Sequence, residues 1–383
     1  MCLQSIKNNK AENPMKLSSK PKIIYMSDPD YGNRFYPYVF AGLYDALASM
    51  DLDVFYLNTA TATFDSFREE INQFKPELLF GFIQNHRQVD KIAGFLREYH
   101  PTAAINWYQE DPNSVVGNGE NDGLDVLAAS KYFDMWFGID SKMVPFWKTK
   151  AAYIPPGFDD RIYYDSNLER CYEVSYIGQL GPKNVSKMYW PYMKELARYG
   201  KKAMLAIDRP MGLPLLPKPL ERFLRSKRRR IFLQHLPIWK CQWQNPSNEQ
   251  EKARIIGRSK IHFGLNRVRG NWEETLRRLL PEYELDKYGL FYQLKSRPFQ
   301  AVGGGAMALN EHAPELEDMF EIGKEIITFE FGDLETMREK LTWYLSHDVE
   351  RKKIARAGYE RGHKQHTFSA RIRQILDIVR KSL

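Results

Sequence analysis

The sequence is poor in cysteine and has no long apolar run. Its three cysteines are Cys2, Cys171 and Cys241, and none stands in a CxxC or other metal-ligand spacing. An odd number of scattered thiols argues against a disulfide scaffold and indicates a reducing compartment, so we expect a cytoplasmic protein. No stretch of about 18 apolar residues occurs, and no transmembrane segment is predicted. Residues 1–20 are polar, lack the apolar centre of a secretory signal and are expected to form a flexible tail.

The overall composition is that of a folded chain with a basic surface. Apolar residues make up 43% of the 383 residues and charged residues 27%, which excludes a mainly disordered chain. This length favours two or three domains. A formal net charge of +8 favours anionic partners such as nucleotide phosphates, nucleic acid, acidic lipid or polysaccharide.

Apolar runs alternate with helical segments along the first part of the chain. Strands are predicted at 22–27, 53–58, 77–83, 103–109, 135–139 and 151–155, with helical segments between them that include 141–149. This alternation is typical of a parallel sheet with helices on both faces, and it predicts a doubly wound α/β domain over residues 21–156. Pro155, Pro156 and Gly157 end the pattern, and residues 157–172 are expected to form a hinge.

The alternation resumes at residue 173 and predicts a second domain over residues 173–368. Its predicted strands are 173–178, 202–207, 260–266, 306–310 and 325–330, and its helices include 294–302 and 314–320. A final helix over 369–383 could pack back on the N-terminal domain. The predicted fold class is therefore α/β, with two Rossmann-like doubly wound domains.

A basic insertion at 210–247 interrupts the second domain. It contains a run of cations, namely Arg222, Arg225, Lys227, Arg228, Arg229 and Arg230. One interpretation of this run is a solvated loop and helix face. The other is a docking surface for an anionic acceptor, a membrane or nucleic acid.

The segment 293–305 is the strongest local indication of chemistry. Lys295 and Arg297 lie near the start of a predicted helix, where cations and free backbone N–H groups favour a diphosphate. The glycine triplet at 303–305 either caps this helix or cradles a phosphate. It has neither the GxGxxG order nor the Lys-Ser/Thr ending of a P-loop, so the residues alone leave both interpretations open.

From about residue 255 to the C-terminus the sequence resembles the CgeB-like glycosyltransferases, whose C-terminal domain belongs with glycosyltransferase families 1 and 4. The resemblance rests on LKSRPFQAVGGGAMALNEHAPELEDMFEIGKEI at 294–326 and HTFSAR at 366–371, with weaker likenesses at 175–184 and 107–112. It implies a GT-B fold, in which two Rossmann-like domains face each other across a cleft. The nucleotide-sugar donor would lie on the C-terminal domain and the acceptor on the N-terminal one. It also implies transfer without a tightly bound metal or a cofactor, and we expect a UDP-sugar as co-substrate.

The resemblance and the predicted strand ends together indicate donor-binding residues. These are Gly178, Gln179, Asn266, Lys295, Arg297, Gln300, Gly303, Gly304, Glu311 and His312. Gly178 and Gln179 end the first strand of their domain, where the backbone can approach a phosphate. Glu311 and His312 follow a strand whose loop usually touches the sugar in this fold. Gln300 stands where the family has Glu, which in related enzymes takes the ribose hydroxyls; an amide can still bind a diol but cannot serve as a catalytic carboxylate.

Three carboxylates of the N-terminal domain are candidates for the catalytic base. Asp28 follows the first predicted strand, and Glu110 and Asp111 follow the strand that ends at residue 109. A carboxylate within hydrogen-bond reach can accept the proton that a sugar hydroxyl loses as it attacks the anomeric carbon. The alternative is that these residues only form turns.

Two other patterns of polar residues are not expected to bind metal. The D-x-D triplets at 28–30 and 51–53 lie in a turn and at the start of a strand. His363 and His366 have H-x-x-H spacing but lie near a predicted helix junction, so we expect them to be structural.

These observations predict a glycosyltransferase that transfers a sugar from a nucleotide-sugar to a hydroxyl of a glycan, a protein or a modified nucleic acid. Two alternatives remain. One is a nucleic-acid-associated protein, or a phage DNA glycosyltransferase, that uses the basic run at 222–230. The other is a catalytically silent GT-B-like protein that binds sugar nucleotides. The reason for this alternative is Gln300, which stands where the family has Glu.

Overall fold

A computed structural model of the chain describes residues 17–29, 36–109, 122–178, 183–207, 241–243, 246–269 and 290–382. These residues divide into two compact units. The first unit contains the described residues up to Asp159 together with those from Thr367 onward, and the second contains the described residues from Asp160 to His366.

The first unit is built on a six-stranded parallel sheet. Its strands are β1 (Lys22–Ser27), β2 (Asp53–Asn58), β3 (Leu78–Phe82), β4 (Ala103–Tyr108), β5 (Met135–Gly138) and β6 (Lys150–Tyr153). They pair in the order β2-β1-β3-β4-β5-β6. The helices between them are α1 (Tyr36–Ala48), α2 (Phe64–Phe74), α3 (His86–Glu98) and α4 (Asp122–Ala129). Every residue of β3 and β4 is buried, as expected for strands covered on both faces.

The second unit contains another six-stranded parallel sheet and a small antiparallel pair. Its strands are β7 (Tyr172–Gly178), β8 (Ala203–Ile207), β9 (Gln242–Trp243), β10 (Ser259–Gly264), β11 (Arg267–Arg269), β12 (Leu290–Tyr292), β13 (Met307–Glu311) and β14 (Ile327–Phe329). The parallel sheet has the order β14-β13-β10-β7-β8-β9, and β11 pairs with β12. The helices are α5 (Lys183–Ala197), α6 (Glu249–Gly257), α7 (Arg297–Gly303), α8 (Leu334–Ser346) and α9 (Asp348–Gln365).

The last helix, α10 (Phe368–Ser382), belongs to the first unit. Phe368 and Ile372 join the apolar core that Phe40 and Leu43 of α1 also enter. The buried Arg371 guanidinium donates from Nε to the Pro156 carbonyl at 3.1 Å. Burial lowers the pKa of Arg371 to about 10. These contacts fix the C-terminal helix where the chain leaves β6.

The prediction of two doubly wound parallel sheets is confirmed. Two predicted helices are wrong in type. Residues Ser141–Phe146 form a 3₁₀ helix that contains Pro145, which lacks the N–H needed inside an α-helix. Only Pro314–Leu316 of the predicted 314–320 helix is helical, again as a 3₁₀ turn. Helix α7 begins at Arg297 rather than 294, since Pro298 suits a first helical turn.

Candidate functional site

The order in which the strands are added to the second sheet reverses between β7 and β10, although the two strands are parallel. Strand β8 follows β7 on one side, and β10 pairs with β7 on the other side. In open parallel sheets, ligands bind outside the carboxyl ends of the strands at such a switch point. The residues that end β7 and follow β10 therefore define the candidate donor site.

Arg297 spans this switch point. Its Nε donates to the Ile177 carbonyl at 3.0 Å and its Nη1 to the Leu265 carbonyl at 2.6 Å. A guanidinium carries five N–H donors in a planar fork, so these two carbonyls do not exhaust it. A Cβ atom on Gly178 would lie 2.5 Å from Arg297 Nη2, which explains why glycine ends β7. Gln179, predicted beside Gly178, lies outside the described residues.

Lys295 and the glycines flank Arg297 along the chain. The Lys295 ammonium donates to the side-chain oxygen of Gln293. Gly303 and Gly304 lie at the end of α7, where a Cβ on Gly304 would approach Ile256 of α6 to 2.6 Å. The structure therefore brings the two cations to the beginning of α7, and Gly304 allows close packing against α6 at its end.

Asn266 and Glu311 are joined to each other at the carboxyl edge of the sheet. The buried Glu311 carboxylate accepts the Asn266 backbone N–H at 2.7 Å, and the Asn266 amide donates to the Glu311 carbonyl at 3.2 Å. These two hydrogen bonds, both donated by Asn266, tie the end of β13 to the segment after β10. His312, the next residue, interacts with Glu317 at 2.9 Å and Glu330 at 3.4 Å through its two ring nitrogens.

Several buried polar atoms of this unit have no hydrogen-bond partner among the described residues. They are Asn266 Oδ1, Asn310 Oδ1, Gln293 Nε2 and His262 Nε2. Buried polar atoms are nearly always paired, so these atoms need water or a ligand. Burial, together with the Arg297 charge, lowers the pKa of His262 to about 3, and its ring is therefore neutral. Ser175 Oγ and His262 Nδ1 share a hydrogen bond of 2.9 Å.

Gln300 contacts a carboxylate that the sequence did not indicate. Its Nε2 donates to Glu249 Oε2 at 3.3 Å. Glu249 lies in the first turn of α6 and is buried. In the sequence, Asn248 followed by acidic residues reads as an ordinary helix start, and only the packing of α6 against α7 brings Glu249 to Gln300.

The first sheet has its switch point between β1 and β3, and Asp28 lies there. The Asp28 carboxylate accepts the backbone N–H groups of Gln84 at 3.1 Å and Asn85 at 2.7 Å, which follow β3. The side chain is almost completely buried, and this burial raises its pKa to about 7 although the two N–H groups lower it. Asp28 can therefore gain or lose a proton near neutral pH.

A buried amide holds the end of β4 beside Asp28. The Gln84 side chain donates to the Trp107 carbonyl at 2.9 Å and accepts the Gln109 backbone N–H at 2.7 Å. This arrangement fixes the chain immediately before Glu110 and Asp111, which themselves lie outside the described residues. Sequence reasoning missed Gln84 because a lone glutamine after a strand has no pattern that distinguishes it.

The D-x-D triplet at 51–53 lies at the amino end of β2, the opposite end from Asp28. Asp51 has a left-handed backbone with φ of 57° and forms an ion pair with Lys20. Within the described ranges, no three His, Cys, Asp or Glu side chains are grouped so that they could hold a metal ion. His363 and His366 bond to the backbone carbonyls of Gly303 and Met319.

The basic run at 222–230 lies outside the residues that the structure describes. Searched over the described part of the chain, no helix is both long enough and apolar enough to cross a membrane.

Comparison with known proteins identifies a domain in the C-terminal part of the chain. Residues 218–377 match the family model described as "Glycosyl transferase-like". Among curated proteins, none matches the sequence significantly.

Solved structures resemble the whole chain in fold. Sucrose-phosphate synthase from Thermosynechococcus elongatus is 12% identical, with a TM-score of 0.61 over 94% of this chain and 98% of that one. The Anabaena protein Alr3699/HepE, in complex with UDP and glucose, is 10% identical, with a TM-score of 0.57 over 94% and 99%. An alpha-glucosyltransferase in complex with UDP and a mismatch-containing 13-mer DNA is 13% identical, with a TM-score of 0.60 over 94% and 100%. The chain therefore has a GT-B fold, and residues 218–377 match a glycosyl transferase-like family model.

Proposed function

We propose that the protein is a glycosyltransferase that transfers a sugar from a UDP-sugar to a hydroxyl acceptor. The observation that carries the proposal is Arg297, a cation held by two strand ends at the switch point of the second sheet. It has further donors available, and buried polar atoms that need partners lie in the same unit. The structural neighbours bound to UDP or UDP-glucose support a uridine nucleotide as the donor carrier.

In this proposal the second unit binds the leaving diphosphate. Negative charge develops on that group as the bond to the anomeric carbon breaks, and preorganised cations stabilise such charge. Arg297 and Lys295 would supply the positive charge in place of a metal ion. Because Arg297 is already fixed by backbone carbonyls, it needs little reorganisation when the charge develops.

We propose Asp28 as the group that accepts the acceptor's proton. A general base is most effective when its pKa lies near the working pH, and burial brings Asp28 to about 7. Its two backbone N–H partners hold the carboxylate in one orientation. Glu110 and Asp111 remain the alternative bases.

The test is nucleotide release from UDP-, GDP-, ADP- and CMP-sugars, measured with and without candidate acceptors. We expect UDP release with at least one UDP-sugar, and slower release by Arg297→Ala. Arg356→Ala provides a matched control, because Arg356 is exposed and, among the described residues, interacts only with Tyr359 and Glu360 of its own helix. The absence of turnover with every donor, despite tight UDP binding, would instead support the silent sugar-nucleotide-binding protein.

A DNA acceptor is a second candidate. A structural neighbour is an alpha-glucosyltransferase in complex with UDP and DNA containing an HMU base, at a TM-score of 0.60. The net charge of +8 and the basic run at 222–230 would favour a polyanion. Incubation with a labelled UDP-sugar and duplexes with or without hydroxymethylated bases distinguishes this acceptor. Label in the hydroxymethylated duplex alone, falling steeply with added salt, would support it.

A further inference from the structure

Glu249 is a buried carboxylate that accepts hydrogen bonds from three side chains. Only 4% of its surface is exposed. Its oxygens accept hydrogen bonds from the Tyr163 hydroxyl, the Lys252 ammonium and the Gln300 amide. A buried charge is tolerated when it is paired and hydrogen-bonded, and these three donors meet that requirement. The surroundings of Glu249 are thus built for one negative charge.

The bond to Glu249 determines which way the Gln300 amide points. A carboxylate can only accept, so the amide nitrogen must face Glu249, and the carbonyl oxygen Oε1 is directed elsewhere. No described residue donates a hydrogen bond to Gln300 Oε1. Gln300 also lies three residues after Arg297 in α7, and residues with this spacing share one face of a helix. The open oxygen is therefore carried on the face that bears the proposed diphosphate cation.

We propose that Glu249 is a positioning residue for nucleoside recognition. It fixes the Gln300 amide so that Oε1 accepts a hydrogen bond from a ribose hydroxyl of the nucleotide. This inference rests on the proposed function and specifies how the same site reads the sugar of the nucleotide. A hydroxyl donates to a carbonyl oxygen readily, and a fixed acceptor loses less entropy on binding than a rotating one.

The same geometry explains why residue 300 is an amide. A glutamate at 300 would place a second carboxylate at hydrogen-bond distance from Glu249, and two like charges at that separation repel. An exchange of the two side chains would keep one charge and one amide in contact. Residues 249 and 300 therefore form a pair whose members can be exchanged but cannot both be acidic.

The experiment measures affinity for UDP and 2′-deoxy-UDP by calorimetry. The variants are Gln300→Glu, Glu249→Gln, the double variant with both changes, and Gln250→Glu. Gln250 is exposed on the same helix turn as Glu249, so its variant carries the same chemical change without the contact. Thermal melting of each variant reports whether it is folded.

We expect Gln300→Glu to weaken UDP binding by about tenfold or more, because it brings two carboxylates together. The double variant should return to within about threefold of the natural chain, since coupled residues compensate each other. Glu249→Gln should reduce the preference for UDP over 2′-deoxy-UDP, because either end of the Gln300 amide can then face residue 249. Gln250→Glu should leave both affinities unchanged.

The results of these measurements support or contradict the proposed pairing of Glu249 with Gln300. If Gln300→Glu binds UDP as tightly as the natural chain, or the double variant is no better than the single one, the pairing is wrong while the proposed function stands. The pairing is also wrong if Glu249→Gln keeps the natural chain's full preference for UDP over 2′-deoxy-UDP. If Gln300→Glu does not fold, recovery of melting temperature in the double variant supports the pairing, and its absence contradicts it. A natural chain that binds no UDP contradicts the proposed function itself.

Discussion

The switch points of the two sheets hold charged side chains of opposite sign. In the first unit, Asp28 accepts two backbone N–H groups from the segment after β3. In the second unit, Arg297 donates to two backbone carbonyls at the ends of β7 and β10. The carboxylate therefore binds backbone N–H groups and the guanidinium binds backbone carbonyls, each at the carboxyl edge of a parallel sheet. In the function that we propose, the same topology presents a proton acceptor in one unit and a cation for phosphate in the other, and the side chain determines which.

The two sites also differ in how their charge depends on the surroundings. The Asp28 carboxyl is almost completely buried, and because burial raises its pKa to about 7 its protonation responds to pH near neutrality. Arg297 is only half-buried, and in the function that we propose it acts through the N–H donors that its carbonyl partners leave available. Changes of pH should disturb the first site, whereas loss of donors should disturb the second.

The largest effect is expected from removing the base. Asp28→Asn keeps the size of the side chain but cannot accept a proton, and loss of a general base lowers rates by about 10²–10⁴-fold. In the natural chain, transfer should rise with pH through about 7, because Asp28 must lose its proton to act. Steady-state rates of both proteins between pH 5 and 9 check this. An unchanged profile in Asp28→Asn would exclude Asp28 as the base and leave Glu110 and Asp111 as the candidates.

A stability measurement examines the same carboxyl without requiring activity. Its pKa is raised on folding from 3.8 to about 7, so the folded protein holds this proton more tightly than the unfolded chain. The free energy of unfolding should therefore fall as pH rises from about 4 through about 7, by an amount on the order of 4 kcal/mol. Asp28→Asn should remove this part of the pH dependence. Urea denaturation of both proteins across that range measures the difference, and parallel curves would contradict it.

Removal of the Arg297 cation should have a smaller effect, on UDP binding, than the changes expected from Asp28→Asn. Arg297→Ala should weaken UDP binding by about 1.5–3 kcal/mol, the scale of hydrogen bonds to charged groups. It should also lower the melting temperature, because the Ile177 and Leu265 carbonyls lose their donor. Calorimetry and thermal melting provide the two readouts. Arg356→Ala should change neither, and unaltered UDP affinity in Arg297→Ala would remove this cation from the site.

The sequence allowed part of this comparison to be predicted. Fully buried strands such as β3 and β4 are nearly continuous apolar runs, interrupted in β4 by Asn106, so their positions could be predicted directly. Asp28 and Arg297 could be proposed because each lies where a predicted element ends or begins. Their hydrogen-bond partners could not be predicted, since Gln84 and Ile177 are brought to them only by the pairing and packing of other elements. Glu249 was missed for the same reason.

The smallest expected effect is that of metal removal, and it concerns the cationic side of the comparison. We propose that Arg297 and Lys295 carry the positive charge that the leaving diphosphate requires, and a divalent ion would then have little left to neutralise. Activity in EDTA should consequently stay within about twofold of that in buffer, less than a single lost hydrogen bond would cost. The measurement is initial UDP release with EDTA, and again after Mg²⁺ or Mn²⁺ is restored. Complete loss in EDTA with recovery on Mn²⁺ would show that a metal ion shares the diphosphate with Arg297. The same assay on Arg297→Ala sharpens the test, because a variant that has lost its cation should then gain activity from added Mg²⁺ while the natural chain does not.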